Sequence, residues 1–589
     1  MMRRPSKRKT TSILKRSSAL ALVLAFTGVM GPPARAQGTI SVKFPARLAA
    51  GPDYATEVMG DPWDMCNAQD ISPDPDQLVG FSSFSFHSNP CRAGGTTMPV
   101  NGVADSYVQM LSPGFWGHAL NPGRNGRNFP IDSSKYQVLS FKLGLSATED
   151  PQIYWVHNPA DHPSGLGLGG RVAPRTSPGS PLVVADLTQS LIPGMSAWTD
   201  GPVRGLRIDP NAFNAVESAY LYWVRLTPSS NSPLAAKQTI TWTGAGAATI
   251  TVRDNIDGSV FPVVSSLSAN EYLWNYGILP PGSYTLIVTN ASGSGSATFS
   301  INNPPSIELT NPSPTSGADY ATTVLGNPWD MSSAADIQLT GSDYLTNLSF
   351  SGGMLHATNT INDPNVTLLY NTNNSVPIDT SRFRYLTYSL QVDGPYDLGA
   401  GSVARVVWNS QLLMSGTTAT VSQDIIVYPG MKSYTIDLAG LSAAPDGGLE
   451  PDGAAEPWTA GVKRHLRLDP HEFPQARTFH IDDVKLTAMP VAGSTFPIMF
   501  LSADADGDAA TVSLYYDADT NPANGRTLIA SGIPGSAGQF VWNTAGVPQG
   551  VYFVYAEATD GIQSLGRYSA VPVQVAPIPP TPTGFRIVK

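Results

Sequence analysis

Residues 53–71, DYATEVMGDPWDMCNAQDI, return almost unchanged as residues 319–337, DYATTVLGNPWDMSSAADI. A chain that repeats this closely builds the same unit twice, so any fold proposed for one half must also serve the other. Two further blocks extend the match. PIDSSKYQVLSFKL from Pro130 pairs with PIDTSRFRYLTYSL from Pro377, and WTDGPVRGLRIDPNAF from Trp198 pairs with WTAGVKRHLRLDPHEF from Trp458. The segments between also repeat: LWNYGILPPGSYTLIV from Leu273 answers VWNTAGVPQGVYFVYA from Val541. The plan reads A-B-A′-B′, with A over 37–228, B over 229–305, A′ over 306–490, B′ over 491–577 and a Pro-rich tail over 578–589.

After the Tyr136/Phe383 pair, apolar and polar residues alternate, which is the period of a half-buried strand. Charged residues make up only 14% of the chain, and its 55 Gly and 51 Pro suit short strands joined by tight turns. The expectation is an all-β chain of tandem β-sandwiches, two larger and two smaller.

Residues 1–36 have the form of a secretory signal. Basic residues from Arg3 to Arg16 precede the apolar run Ala19–Met30, which is too short to span a bilayer, and Ala34-Arg35-Ala36 offers small residues for cleavage before Gln37. Losing the eight basic residues of this segment from the chain's 35 leaves 27 against 45 acidic, a net of −18. Nucleic acid is excluded as a natural partner for so acidic a surface. No later stretch reads as a membrane span. The expected place is outside the cell, secreted or at the cell surface, where Cys66 and Cys91, the only cysteines, would bridge.

In B and B′ a Pro-Gly or Gln-Gly turn is followed two residues on by Tyr284 or Tyr552. This resembles the tyrosine corner of cysteine-free immunoglobulin and fibronectin type III domains, in which the Tyr hydroxyl bonds back to the main chain. The closing block HIDDVKLT (480–487), with the size and tryptophan distribution of the A segments, resembles jelly-roll carbohydrate-binding modules and galactose-binding-like domains. That resemblance implies glycan binding, and in some members a structural calcium. The tail from Ala576 resembles a linker and the first strand of a further fibronectin-like domain, as in a fragment of a longer chain.

Trp63/Trp329, Trp198/Trp458 and Trp274/Trp542 recur in both copies and read as core. Trp155 and Trp408, each in a mid-module strand with an Asn shortly after, are candidates for stacking on a sugar face. Trp116 and the pair Tyr222-Trp223 lack aromatic equivalents in the second copy and are candidates for ligand contact particular to the first. Asp482-Asp483, which replace Tyr222-Trp223, and the alternating Asp504, Asp506 and Asp508 are candidate calcium ligands, since a hard cation needs several oxygens; an acidic strand end and an acidic hairpin turn are the plainer readings. No cofactor is required. Arg207-x-Asp209 and Arg467-x-Asp469 place both members of each pair on one strand face and read as structural ion pairs.

No Ser sits in a G-x-S-x-G elbow and no H-E-x-x-H occurs; His471-Glu472 runs into Phe473-Pro474, which would break the required helix. A duplicated unit gains avidity when it binds and little when it catalyses. The sequence therefore points to a secreted, non-catalytic binding protein for extracellular glycans. Its rivals are a structural or adhesive protein holding other proteins and a sandwich-fold polysaccharide hydrolase or lyase, or the accessory region of one.

Overall fold

A computed structural model describes residues 40–576 except 68–69, 72–77, 99–105, 112–125, 127–128, 146–150, 158–169, 173–180, 190–194, 211–215, 217, 340–341, 362, 371–375, 395–402, 411–419, 423–424, 428–429 and 441–455. These residues form eight sheets around four hydrophobic cores. The chain is a series of β-sandwiches, as its alternating pattern requires. Among the described residues no helix is long and apolar enough to cross a membrane.

Each large sandwich packs two sheets. In the first copy one sheet runs Leu182–Asp186, Val138–Leu145, Ser218–Thr227, Cys91–Thr97, Phe81–Ser88, and the other is centred on Tyr107–Leu111, Gly205–Asp209 and Gln152–Val156. The second copy repeats both orders, with Thr478–Ala488 between Met354–Asn359 and Phe383–Val392, and His465–Asp469 between Val366–Tyr370 and Val403–Asn409.

The repeated opening motif has a common mechanical role. Asp53 and Asp319 each accept from the backbone of the turn that follows (Thr56 N–H, 3.1 Å; Thr322 N–H, 2.8 Å) and from the closing strand (Leu226 N–H, 3.0 Å; Leu486 N–H, 3.1 Å). The single helical turns they start, Ala55–Met59 and Ala321–Leu325, end at Gly60 (φ 85°) and Gly326 (φ 75°), a left-handed position that glycine takes without strain. Trp198 and Trp458, both fully buried, donate their indole N–H to Tyr136 O and Phe383 O.

The small sandwiches bear out the corner geometry: Tyr284 donates to Pro280 O (2.9 Å) and Tyr552 to Pro548 O (3.1 Å). Two expected boundaries shift. Val42–Lys43, grouped by sequence with A, pairs with Lys237–Trp242 of the small sandwich, and Ser306–Asn311, grouped with A′, pairs with Thr495–Ala503. The cause is hydrophobic: Ile40 and Leu48 are buried in the first small core, with Phe44 packed edge-on to Phe299. The first large sandwich thus follows two short strands of its small sandwich, Val42–Lys43 and Arg47–Leu48, and the second follows one, Ser306–Asn311; a linear reading of the repeat could not reveal that nesting.

The two copies diverge in how their sheets are covered. In the first, Trp223 buries its ring in the small core, Ser140 donates to Ile278 O (2.7 Å), Arg225 donates to Gly277 O (3.1 Å) and Gly51 O (2.9 Å), and Lys142 pairs with Asp257. The second copy places Asp483, Thr387, Lys485 and Ser389 at those positions, on a face where Thr387 bonds Thr435 (3.0 Å) and Ser389 bonds Ser433 (2.8 Å). The second small sandwich reaches the first copy: Arg567 donates to Thr56 O and Glu57 O, and Gln563 exchanges hydrogen bonds with Ala50.

Candidate ligand-binding site

The central strand of the second sheet in each large sandwich turns alternate side chains inward and outward. Leu206 and Ile208, or Leu466 and Leu468, enter the core, which leaves Arg207 and Asp209, or Arg467 and Asp469, on the other face. In the first copy this pair is closed. Arg207 donates twice to Asp209 (2.9 and 2.7 Å) and lies between the rings of Tyr107 and Tyr154, 4.1 and 4.7 Å from their centres. Only 4% of its side chain is exposed.

Strand register puts Asn365 and Val407 where the two tyrosines stood. Without the rings, 24% of the Arg467 side chain meets solvent; Nη2 lies 2.8 Å from Asp469 and 3.5 Å from Asp363. Two further exchanges add charge. Arg405 takes the register position of Gln152, and Glu472 stands where the repeat has Ala212; these newcomers approach to 3.5 Å. Asp363, Asp469 and Glu472 bring carboxylate oxygens within 4.8 Å of one another.

Asp469 is the most enclosed carboxylate of this arrangement. It is buried, and its Oδ1 has no hydrogen-bond partner among the described residues. Burial pushes its carboxyl up to about 6, and Arg467 pulls back against that rise. On the same strand, burial and the Arg467 charge depress the His465 imidazole to about 4, so it stays neutral at physiological pH. The face is a set of planar donors and acceptors held by strands, suited to a ligand rich in hydroxyls or other polar groups.

The residues expected to bind are placed elsewhere. Trp155 and Trp408 are each 1% exposed and pack edge-on against Trp198 and Trp458, so they fill the core and offer no ring face to a sugar. Inward-facing positions of a half-buried strand are where large rings bury most area, and their strand phase decided the matter. Tyr222 and Trp223 pack against the first small sandwich, with Lys142 over the Tyr222 ring at 5.1 Å. Trp116 lies outside the described residues.

Asp482 and Asp483 join no cluster of potential metal ligands among the described residues, and Asp483 pairs with Lys485 at 2.8 Å. The Asp504–Asp508 loop makes protein contacts: Asp506 accepts twice from Asn303 (2.8 and 2.8 Å), Asp508 pairs with Arg47, and Asp504 caps the N–H groups of Asp506 (2.8 Å) and Asp508 (3.3 Å). Asp504 and Asp508 do meet a third carboxylate, Asp560, which could complete an oxygen set for a hard cation, although Arg47 already supplies positive charge there. Cys66 and Cys91 form the expected disulfide.

Asp363, Arg405 and Glu472 escaped sequence reasoning, and Arg467-Asp469 was assigned a structural role only. A signal existed: around a pair that both copies keep, the second copy exchanges Tyr154 for Val407, Gln152 for Arg405 and Ala212 for Glu472.

No family model and no curated protein matches the chain. Among solved structures, segments resemble the agarase AgWH50C (8% identity, 28% of this chain and 26% of that one, TM-score 0.19). Others resemble the tandem CBM22-1-CBM22-2 domains of Paenibacillus barcinonensis Xyn10C (9%, 75% and 99%, TM-score 0.18). A third likeness is to chicken CNTN1 FN1-FN3 domains (8%, 57% and 94%, TM-score 0.11). The match thus takes in about a quarter of the agarase. At these scores none of the likenesses bears on function.

Proposed function

We propose that the chain is an extracellular, non-catalytic binding protein, exported by its first 36 residues, whose second large sandwich holds a glycan on the face built around Arg467 and Asp469. The observation that carries this reading is the opening of that pair in one copy alone: the tyrosines that seal Arg207 are gone, Asp363 approaches the partly exposed Arg467 guanidinium, and the Arg405–Glu472 pair adds charge beside it. Vicinal hydroxyls of a pyranose match a guanidinium fork on one side and a carboxylate on the other, each charge-assisted hydrogen bond contributing about 1.5–3 kcal/mol. The disulfide in the first copy agrees with an oxidising compartment.

A raised carboxyl beside two other carboxylates is also what a glycoside hydrolase uses as its acid, which keeps a catalytic reading in play for the same residues. One experiment addresses both. The intact chain is incubated with a panel of insoluble polysaccharides, and retention and released reducing ends are measured together. Retention without release, reduced about tenfold or more in Arg467→Ala and Glu472→Gln, is the expected result. Release of reducing ends that stops in Asp469→Asn would replace binding by hydrolysis, and retention indifferent to all three substitutions would remove this face from the function.

A further inference from the structure

The polar sheet face of the second large sandwich carries a pair of histidines that the glycan reading does not use. His356 and His480 are direct partners across Met354–Asn359 and Thr478–Ala488, and their Nδ1 atoms stand 2.5 Å apart. Each ring is held from behind. His356 Nε2 faces the Ser351 carbonyl oxygen at 3.0 Å, and His480 Nε2 faces an Asp393 carboxylate oxygen at 3.2 Å. Both of those oxygens can only accept, so each Nε2 carries its proton and donates.

For two neutral imidazoles this places both protons on Nε2, and the consequence is electrostatic. The two Nδ1 atoms then present lone pairs to each other at contact distance, an arrangement that repels unless a further proton or a metal ion lies between them. We infer that His356 and His480 are a binding site for one divalent transition-metal ion, coordinated through their two Nδ1 atoms.

The surroundings match what such ions select. Neutral imidazole suits zinc, copper and nickel. A ligating histidine characteristically donates its other N–H to a carboxylate or a backbone carbonyl, and this pair has one of each. Bonds of about 2.0–2.1 Å to a tetrahedral ion would set the nitrogens roughly 3.3 Å apart. The rings reach that by less than 1 Å of side-chain rotation on a half-buried face. The His480 side chain is 18% exposed, which leaves room for water or a ligand group to complete the coordination. Asp482, on the same side of the strand two residues on, adds negative charge. In the first copy the equivalent positions are Gly94 and Tyr220, so the shared fold does not need the pair.

The test is calorimetric titration of untagged, full-length protein with zinc and with nickel at neutral pH, and with cupric ion followed by electron paramagnetic resonance. One ion should bind per chain, with nitrogen hyperfine coupling in the copper spectrum. His356→Gln and His480→Gln should each abolish saturable binding while circular dichroism shows the sandwich intact. Asp393→Asn should weaken binding about tenfold or more, by loosening the His480 ring without removing a ligand. Binding that survives in both histidine variants would overturn the assignment. So would a wild-type chain that binds no ion and whose imidazole ¹⁵N resonances, unmoved by zinc, show a proton shared between the two Nδ1 atoms.

Discussion

The two large sandwiches share an opening aspartate, a buried pair of tryptophans and an Arg-x-Asp strand, yet they present different outer surfaces. The first copy is closed on both sides: its five-stranded sheet lies under the small sandwich through Trp223, and its Arg207–Asp209 pair lies under two tyrosine rings. In the second, the face of Thr387 and Ser389 carries polar side chains, and Arg467 is about a quarter exposed above a buried Asp469. The two cores are alike, and the difference lies in what surrounds the shared pair: the second copy sets a partly exposed guanidinium beside three clustered carboxylates. The proposed glycan contacts therefore fall on the second copy.

Substituting one copy's residues into the other should break this contrast most severely at the sheet face. Trp223→Asp, which installs the second copy's residue, removes a ring that is 92% buried in the small core and leaves a carboxylate among apolar neighbours. A loss of about 3–5 kcal/mol from the cavity alone is expected, read as a lower midpoint in urea, whereas Asp483→Ala should change the midpoint little.

The Arg-x-Asp pair separates the copies next. Arg207→Ala removes the guanidinium that pairs with the buried Asp209 and packs between two tyrosine rings, and should cost about 3–5 kcal/mol, as when one member of a buried ion pair is removed. Arg467→Ala removes a side chain about a quarter exposed and without flanking tyrosine rings, so it should cost less than Arg207→Ala even though Asp469 stays buried, while its larger effect should fall on ligand retention. Equal destabilisation by the two changes would mean that the second pair is as enclosed as the first. Reduction of Cys66–Cys91 follows in size. It should lower the stability of the first large sandwich by about 3 kcal/mol, because a closed loop limits the unfolded chain, and should leave the second, which has Ser332 in place of Cys66, unchanged. Hydrogen exchange resolves the two sandwiches separately.

Much of this architecture was legible in the sequence, and the reason lies in which interactions are local. Alternation identified strands, the Tyr284 and Tyr552 corners were readable from a turn and a tyrosine two residues on, and the repeat located equivalent cores. What escaped depends on strand phase and long-range pairing. Trp155 and Trp408 lie in the expected strands, but only the register shows that they face inward. Asp504, Asp506 and Asp508 form a dense acidic run in sequence, yet their main partners, Arg47 and Asn303, come from the other copy. The candidate site joins Asp363, Arg405, Arg467, Asp469 and Glu472 from separate segments, and only the differences between copies hinted at it.

The smallest predicted effect tests the comparison at its most conservative point, the opening motif itself. Asn327 donates its side-chain N–H to Asp336 Oδ1 at 2.8 Å, but the first copy has Asp61 at that position, which has no proton to give, and Asp70 Oδ1 is left buried without a hydrogen-bond partner. Burial, with added repulsion from Asp64 and Asp61, pushes the Asp70 carboxyl up to about 7. A carboxyl raised on folding binds its proton more tightly in the folded state than in the unfolded chain, where it titrates near 4. Folding stability should therefore be greatest below pH 4 with respect to this group and should decline as pH rises from about 4 to about 7, beyond which the whole penalty is present. Asp61→Asn restores the donor found in the second copy and removes one repelling charge. It should raise stability by about 1 kcal/mol at pH 8 and by much less at pH 4, flattening the decline between them. Thermal melts across that range decide the matter: a gain of equal size at both ends would show that Asp70 is not the group that distinguishes the two motifs.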